Sequence, residues 1–275
     1  MLPNLIIIGA MKCGTTSLHS YLNQHPEIQM SRQKELDFFV DRYNWDLGLD
    51  WYQSQFKGNA TIYGESSPNY SNYPSMPNVA RRMYDLVPQT KIIYLVRDPI
   101  ARMISHYIHK YSARIENLPL QKALIEHQAY LSRSLYYFQL EQFLAYYPPS
   151  QILVIAAEDL YEQTALTLRR VYEFLEVDPN FYTWQSEIAL HRSIRKRRQT
   201  ELGHWLINTS PLRVIDRLPP NLRWPIKGLI NYFFAKPIIK PKLSDILRDE
   251  LTERLRNDVN KLREFTGYDF QQWSI

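Results

Sequence analysis

The sequence predicts an α/β fold: a central parallel β-sheet flanked by helices. Three observations predict it. Short, continuous apolar runs rich in β-branched residues recur along the chain, as in strands buried on both faces of a parallel sheet. Helical patterns lie between them. A turn with two glycines joins the first such run to the first helix.

The elements follow in order. Leu5–Ile8 reads as a buried strand, Gly9 to Gly14 as a turn, and Thr15 onward as a helix with Leu18, Tyr21 and Leu22 on one face. His25-Pro26 ends that helix, because the residue before proline is pushed out of the α region. Thr61–Glu65 and Lys91–Arg97 are further strands. Asp98-Pro99 then supplies an N-cap and a first helical position for a helix through about Tyr111. Gln151–Ile155 is another strand, and Ala165–Leu175 a helix. From the Ser244 N-cap, Leu247, Leu251, Leu255, Val259 and Leu262 mark an amphipathic helix that stops before Gly267.

Composition narrows the class. The chain has 275 residues, 45% of them hydrophobic and 22% charged, which is ordinary globular usage and argues against disorder. A single cysteine excludes an internal disulfide framework and a Cys-based zinc site. Charged residues and prolines interrupt every apolar stretch, so no transmembrane helix is expected. No basic n-region precedes Leu5, so the start does not read as a signal peptide and the expected location is cytoplasmic. Residues 187–242 hold twelve Lys or Arg against three acids, a net charge of +9, whereas the remainder carries −4. Such a segment suits a polyanion, a phosphorylated ligand or a membrane surface, or is simply a solvated face. Its prolines argue against a regular central element. The expected organisation is one domain over 1–275: a nucleotide-binding core (1–186), a basic lid or insertion (187–243) and a carboxy-terminal helix packed on the core (244–275).

Gly9-Ala10-Met11-Lys12-Cys13-Gly14-Thr15-Thr16 has the glycine spacing of a P-loop, and in a strand–loop–helix context its backbone N–H groups form an anion site. Walker chemistry requires a lysine directly after the second glycine. Thr15 stands there instead, and the lysine has moved into the loop as Lys12. The loop fits a phosphate, but a metal-bound triphosphate loses its main cation.

These residues resemble the 5′-phosphosulfate loop of sulfotransferases that use 3′-phosphoadenosine 5′-phosphosulfate (PAPS). Lys34-Glu35-Leu36-Asp37-Phe38-Phe39 is similar to the K-E-x-x-F-F segment of the heparan-sulfate-type branch, whose glutamate is the catalytic base. Tyr94-Leu95-Val96-Arg97-Asp98-Pro99, with Arg102 and Ser105 following, is similar to the 3′-phosphate motif. Weaker similarity covers Tyr63 to Tyr70, Glu158-Asp159-Leu160 and Gly267-Tyr268-Asp269. The resemblance implies a P-loop-like sulfotransferase fold, PAPS as sulfuryl donor, no metal, and a saccharide, lipid or small-molecule acceptor bearing a hydroxyl or amine. It also implies site residues. Glu35 is the base and Lys12 stabilises the leaving group. Cys13, Gly14, Thr15, Thr16 and Ser17 hold the 5′-phosphate; Arg97 and Ser105 hold the 3′-phosphate. Lys34, Asp37, Glu65 and Ser66 line the acceptor site, and Arg195, Lys196 and Arg197 close over the nucleotide.

In-line sulfuryl transfer needs this set: a base, cations for charge on the bridging oxygen, and rigid positioning. Rival readings keep their place. Glu35 read alone is a surface carboxylate paired with Lys34. His19, His25, His106 and His191 are alternative bases, of which His19 reads as a helix-surface residue and His25 as a turn residue. Cys13 reads as a small filler. A P-loop kinase or NTPase would need a Walker-B carboxylate where Asp98 looks like a helix cap. A non-catalytic module would bind a polyanion or, through 224–239, a membrane. No nucleic acid is expected, and oligomeric state is not legible.

Overall fold

The computed structural model describes residues 1–181, 197–199 and 235–275. Five strands form one all-parallel sheet in the order β2-β3-β1-β4-β5: β1 (Leu5–Gly9), β2 (Ile28–Met30), β3 (Ile62–Ser66), β4 (Lys91–Val96) and β5 (Ile152–Ala156). The central strands β1, β3 and β4 are buried along nearly their whole length, which is why β1 and β4 read as unbroken apolar runs rather than alternating ones. The predicted strand boundaries hold to within one residue. The short edge strand β2 was not legible, since three residues offer no periodicity to read.

The sheet places four segments at its carboxyl edge. β1 lies between β3 and β4, with Ile7 opposite Ser66 on one side and Ile93 on the other. Beyond the strand ends, Ala10 N–H donates to Leu95 O (2.7 Å) and Ser67 N–H to Ile7 O (3.0 Å). Loops leaving β1, β3 and β4 therefore emerge side by side. The segment after β2 joins them, because Ser31 N–H donates to Gly64 O (2.7 Å) and Glu35 N–H to Ser66 O (3.1 Å). In open α/β sheets this edge is where ligands bind.

Both predicted caps are present. Asp98 Oδ1 accepts from Ala101 N–H (2.7 Å) at the start of the helix Pro99–Ser112. Ser244 Oγ accepts from Leu247 N–H (3.4 Å) at the start of the helix Asp245–Thr266, whose end is left-handed Gly267. Leu247, Leu251 and Leu255 of that helix pack on Ile100, Met103 and Tyr107 of the helix Pro99–Ser112.

Most of the basic segment lies outside the described residues. Its described parts form a two-stranded antiparallel ribbon, β6 (Arg197–Gln199) with β7 (Ala235–Pro237), a regular piece that proline frequency did not suggest. Arg198 ties the ribbon to the core: its guanidinium lies 3.7 Å from the Tyr111 ring and donates to Asn117 Oδ1 (2.8 Å). Arg195 and Lys196 lie outside the described residues, as does the stretch 224–234 of the segment 224–239. No helix among the described residues is long and apolar enough to cross a membrane.

Candidate active site

The phosphate loop is shaped by two glycines with positive φ. Gly9 (φ 153°) is pressed so closely by Ser71 that a Cβ would overlap its Oγ. Gly14 (φ 91°) is left-handed, and a Cβ there would come within 2.9 Å of Tyr161 OH. Gly14 turns the chain into the helix Thr15–Leu22, whose first-turn N–H groups have no carbonyl to reach within the helix. Lys12 is itself left-handed (φ 75°), a conformation that costs a non-glycine residue on the order of 1 kcal/mol or more. Strain of this kind is held where the surrounding structure demands it.

One expectation needs correcting here. Cys13 N–H donates to Ala10 O (3.1 Å) inside the loop, so it is not available to a phosphate, and the anion donors begin at Gly14. The Cys13 side chain is fully buried 3.7 Å from Tyr136 OH, and burial pushes its thiol up to about 11. It is a filler, not a nucleophile.

β4 ends beside this loop and presents Arg97, half-buried, and then Asp98; Ser105, also half-buried, follows on the next helix. Asp98 does not act as a free carboxylate. Oδ1 caps the helix and Oδ2 accepts from Ser274 N–H (2.6 Å). Arg102 follows Arg97 in the 3′-phosphate motif and has no expected role of its own. It is the largest fully buried side chain among the described residues, donating from Nε to Ser134 Oγ (2.6 Å) and from Nη2 to Tyr130 O (2.7 Å). Nη1 has no partner. A buried guanidinium whose partners are neutral leaves positive field beneath the loop, and this suits a phosphate-rich ligand. His106, on the same helix, is buried against Tyr130, and burial together with Arg102 pushes its pKa far down.

In the segment after β2, Lys34 Nζ sits 2.5 Å from Glu35 Oε1, the pairing expected of Glu35 read alone. Glu35 remains half exposed and left-handed (φ 62°), with its amide fixed on Ser66 O. Asp37 (φ 46°) accepts from Asn69 Nδ2 (2.9 Å), and its amide donates to Ser67 Oγ (3.0 Å). Burial raises the Asp37 carboxyl to about 6. His19 is half-buried rather than on the surface; burial and the nearby Lys34 lower it to about 4, so it is neutral at physiological pH. His25 is buried, bonded to Asp178 O (3.0 Å) and away from this edge.

Glu65 and Ser66, expected to line the acceptor site, are fully buried and present no surface to an acceptor. Glu65 is instead a support. It accepts from Tyr52 OH, Ser67 Oγ (2.7 Å) and Tyr70 OH (3.0 Å), and Ser67 in turn holds the Asp37 amide. Burial outweighs these donors and raises the carboxyl to about 7. The folded state therefore binds a proton that the unfolded chain, with its carboxyl near 4.5, gives up earlier. Stability contributed by protonated Glu65 is present at low pH and declines between about pH 4.5 and 7. Denaturant unfolding across that window should show a shallower decline in Glu65→Gln than in the wild type; parallel curves would contradict the assignment.

A family model described as a sulfotransferase domain matches residues 2–203. The chain belongs to the sulfotransferase domain family. Human bifunctional heparan sulfate N-deacetylase/N-sulfotransferase 3 is 32% identical over 208 residues, covering 66% of this chain and 23% of that protein. Mouse heparan sulfate glucosamine 3-O-sulfotransferase 3B1 is 32% identical over 204 residues, covering 68% of this chain and 50% of its own length. This sulfotransferase thus spans no more than half the length of these curated relatives. The crystal structure of a sulfotransferase from Alicyclobacillus acidocaldarius superimposes with a TM-score of 0.71 at 24% identity, covering 100% of both chains. The parallel sheet and its flanking helices are the sulfotransferase fold.

Proposed function

We propose that this sulfotransferase moves a sulfuryl group from PAPS to a hydroxyl or amine of an anionic saccharide, with Glu35 as base. One observation carries the reading. The Glu35 amide is anchored on Ser66 at the end of β3, on the same sheet edge as the phosphate loop after β1 and Arg97 after β4. A base, a loop lysine and an arginine fork thereby share one edge.

PAPS supplies the sulfuryl group and two separate phosphates. The N–H groups of Gly14 to Ser17, with the Thr15 and Thr16 hydroxyls, suit the 5′-phosphate. Arg97 offers a permanently charged, bidentate donor set for the 3′-phosphate, and Ser105 adds a hydroxyl. Glu35 takes the acceptor proton, with Lys34 beside it orienting the carboxylate. Lys12 faces the charge that develops on the departing nucleotide. Asp37 Oδ2 is held by Asn69 Nδ2 and Oδ1 is buried, so this carboxylate offers no open oxygen to an acceptor hydroxyl.

The saccharide class rests on two supports: the relatives described above are named for heparan sulfate, and residues 187–242 carry a net charge of +9. The test follows radiolabel from PAPS into polysaccharide, lipid and small-molecule fractions. Label in a uronic-acid-containing polysaccharide is the expected result. Label confined to lipid or small molecules would replace the acceptor class, and no transfer into any fraction would remove the activity.

A further inference from the structure

Residues 267–275 lie far along the chain from the loops of the sheet edge, yet they contact the turn that carries Arg97. Ser274 N–H donates to Asp98 Oδ2 (2.6 Å). Trp273 Nε1 donates to Glu158 Oε2 (3.3 Å), while the other oxygen of Glu158 accepts from Asp98 N–H (3.1 Å). The Asp98 backbone and side chain are thus both gripped, directly or through Glu158, by two consecutive residues.

The same segment reaches the phosphate loop. Trp273 is buried, stacks on Phe270 (4.2 Å between ring centroids) and lies 5.8 Å from the Tyr136 ring. Tyr136 OH accepts from Arg97 N–H (3.3 Å) and is 3.7 Å from Cys13 Sγ, so it touches both the loop and the strand end. Arg263 fixes the segment from behind, donating to Asp269 O (2.9 Å) and Ile275 O (2.8 Å).

We infer that Trp273 and Ser274 are positioning residues for the nucleotide's 3′-phosphate, holding the Arg97–Asp98 turn in the conformation that binds it. The inference rests on the donor reading of Arg97 given above. Its physical basis is preorganisation. A guanidinium on a turn already fixed at the Arg97 amide, the Asp98 amide and both Asp98 oxygens loses little freedom when an anion arrives. A turn released at two of those points must be ordered by the ligand itself, and affinity falls by that cost. Simple packing of a terminal segment predicts something different, a loss of stability with no preference for one phosphate over the other.

The experiment is calorimetric titration of the full chain with PAP and, separately, with adenosine 5′-phosphate, which lacks the 3′-phosphate. Trp273→Phe keeps an aromatic ring against Phe270 while removing the N–H together with the five-membered half of the indole. It should weaken PAP about tenfold and leave adenosine 5′-phosphate unchanged. Glu158→Gln should give the same selective loss, and the double variant no more than either single one. Ser274→Pro, which removes the amide donor without touching the aromatic stack, provides an independent route should the Trp273 variant fail to fold. Wild-type PAP affinity in Trp273→Phe, or equal weakening of the two nucleotides, would overturn the inference while leaving the proposed function standing. Failure of the wild type itself to bind PAP would remove the donor reading and this inference with it.

Discussion

Glu35→Gln is expected to bind PAP as the wild type does and to turn over about 10²- to 10⁴-fold more slowly. The expectation follows from how the residue is held. Its backbone, not its carboxylate, fixes the segment: the amide donates to Ser66 O (3.1 Å), and φ is 62° whatever the side chain carries. Glutamine keeps the length and shape, so neither the turn nor the nucleotide side of the site should change. What disappears is the capacity to accept a proton. Lys34, 2.5 Å from the carboxylate, loses an ionic partner, but its side chain is already partly solvated. Steady-state kinetics with PAP titrations on the same preparation checks both halves of the expectation. Equal turnover in the variant would move the base elsewhere. Neutral His19, lowered to about 4, is then the first place to look.

The legible part of this protein was the part governed by local pattern. β1, β4 and β5 are fully buried strands, and burial on both faces leaves an apolar run that no helix of that length would show. The caps at Asp98 and Ser244 were equally plain, since each has a side-chain oxygen that precedes a helical pattern by one residue. The loop was legible because its glycines sit where only glycine tolerates the backbone.

What escaped was decided by tertiary contact. Glu65 gives no sign in sequence of facing inward, and only the arrival of Tyr52, Ser67 and Tyr70 around it makes burial possible. The Cys13 amide looks available until the loop closes on Ala10. Arg102 reads as one more helix cation, yet it is completely enclosed, with Ser134 and Tyr130 drawn in from a distant segment. The engagement of Trp273 and Ser274 with Asp98 and Glu158 spans more than a hundred residues of sequence, and periodicity carries no information across such a gap. Arg195 and Lys196, two of the three proposed closing cations, lie outside the described residues, and the closing role of all three, Arg197 included, stays an expectation.

Lys12 is central to the proposed chemistry. In a Walker loop the lysine directly follows the second glycine; here it lies inside the loop, left-handed at φ 75°, one residue before the fully buried Cys13. Holding a lysine in that strained conformation makes sense if its ammonium meets charge that appears only as the nucleotide leaves. A cation used this way acts on the transition state and less on the bound donor, so its loss should show in rate more than in affinity. The decisive measurement is single-turnover sulfuryl transfer from saturating PAPS by Lys12→Ala, beside a PAP titration of the same protein. A rate lower by about 10²- to 10³-fold, with PAP affinity changed much less, is the predicted result. A transfer rate equal to that of the wild type would contradict it.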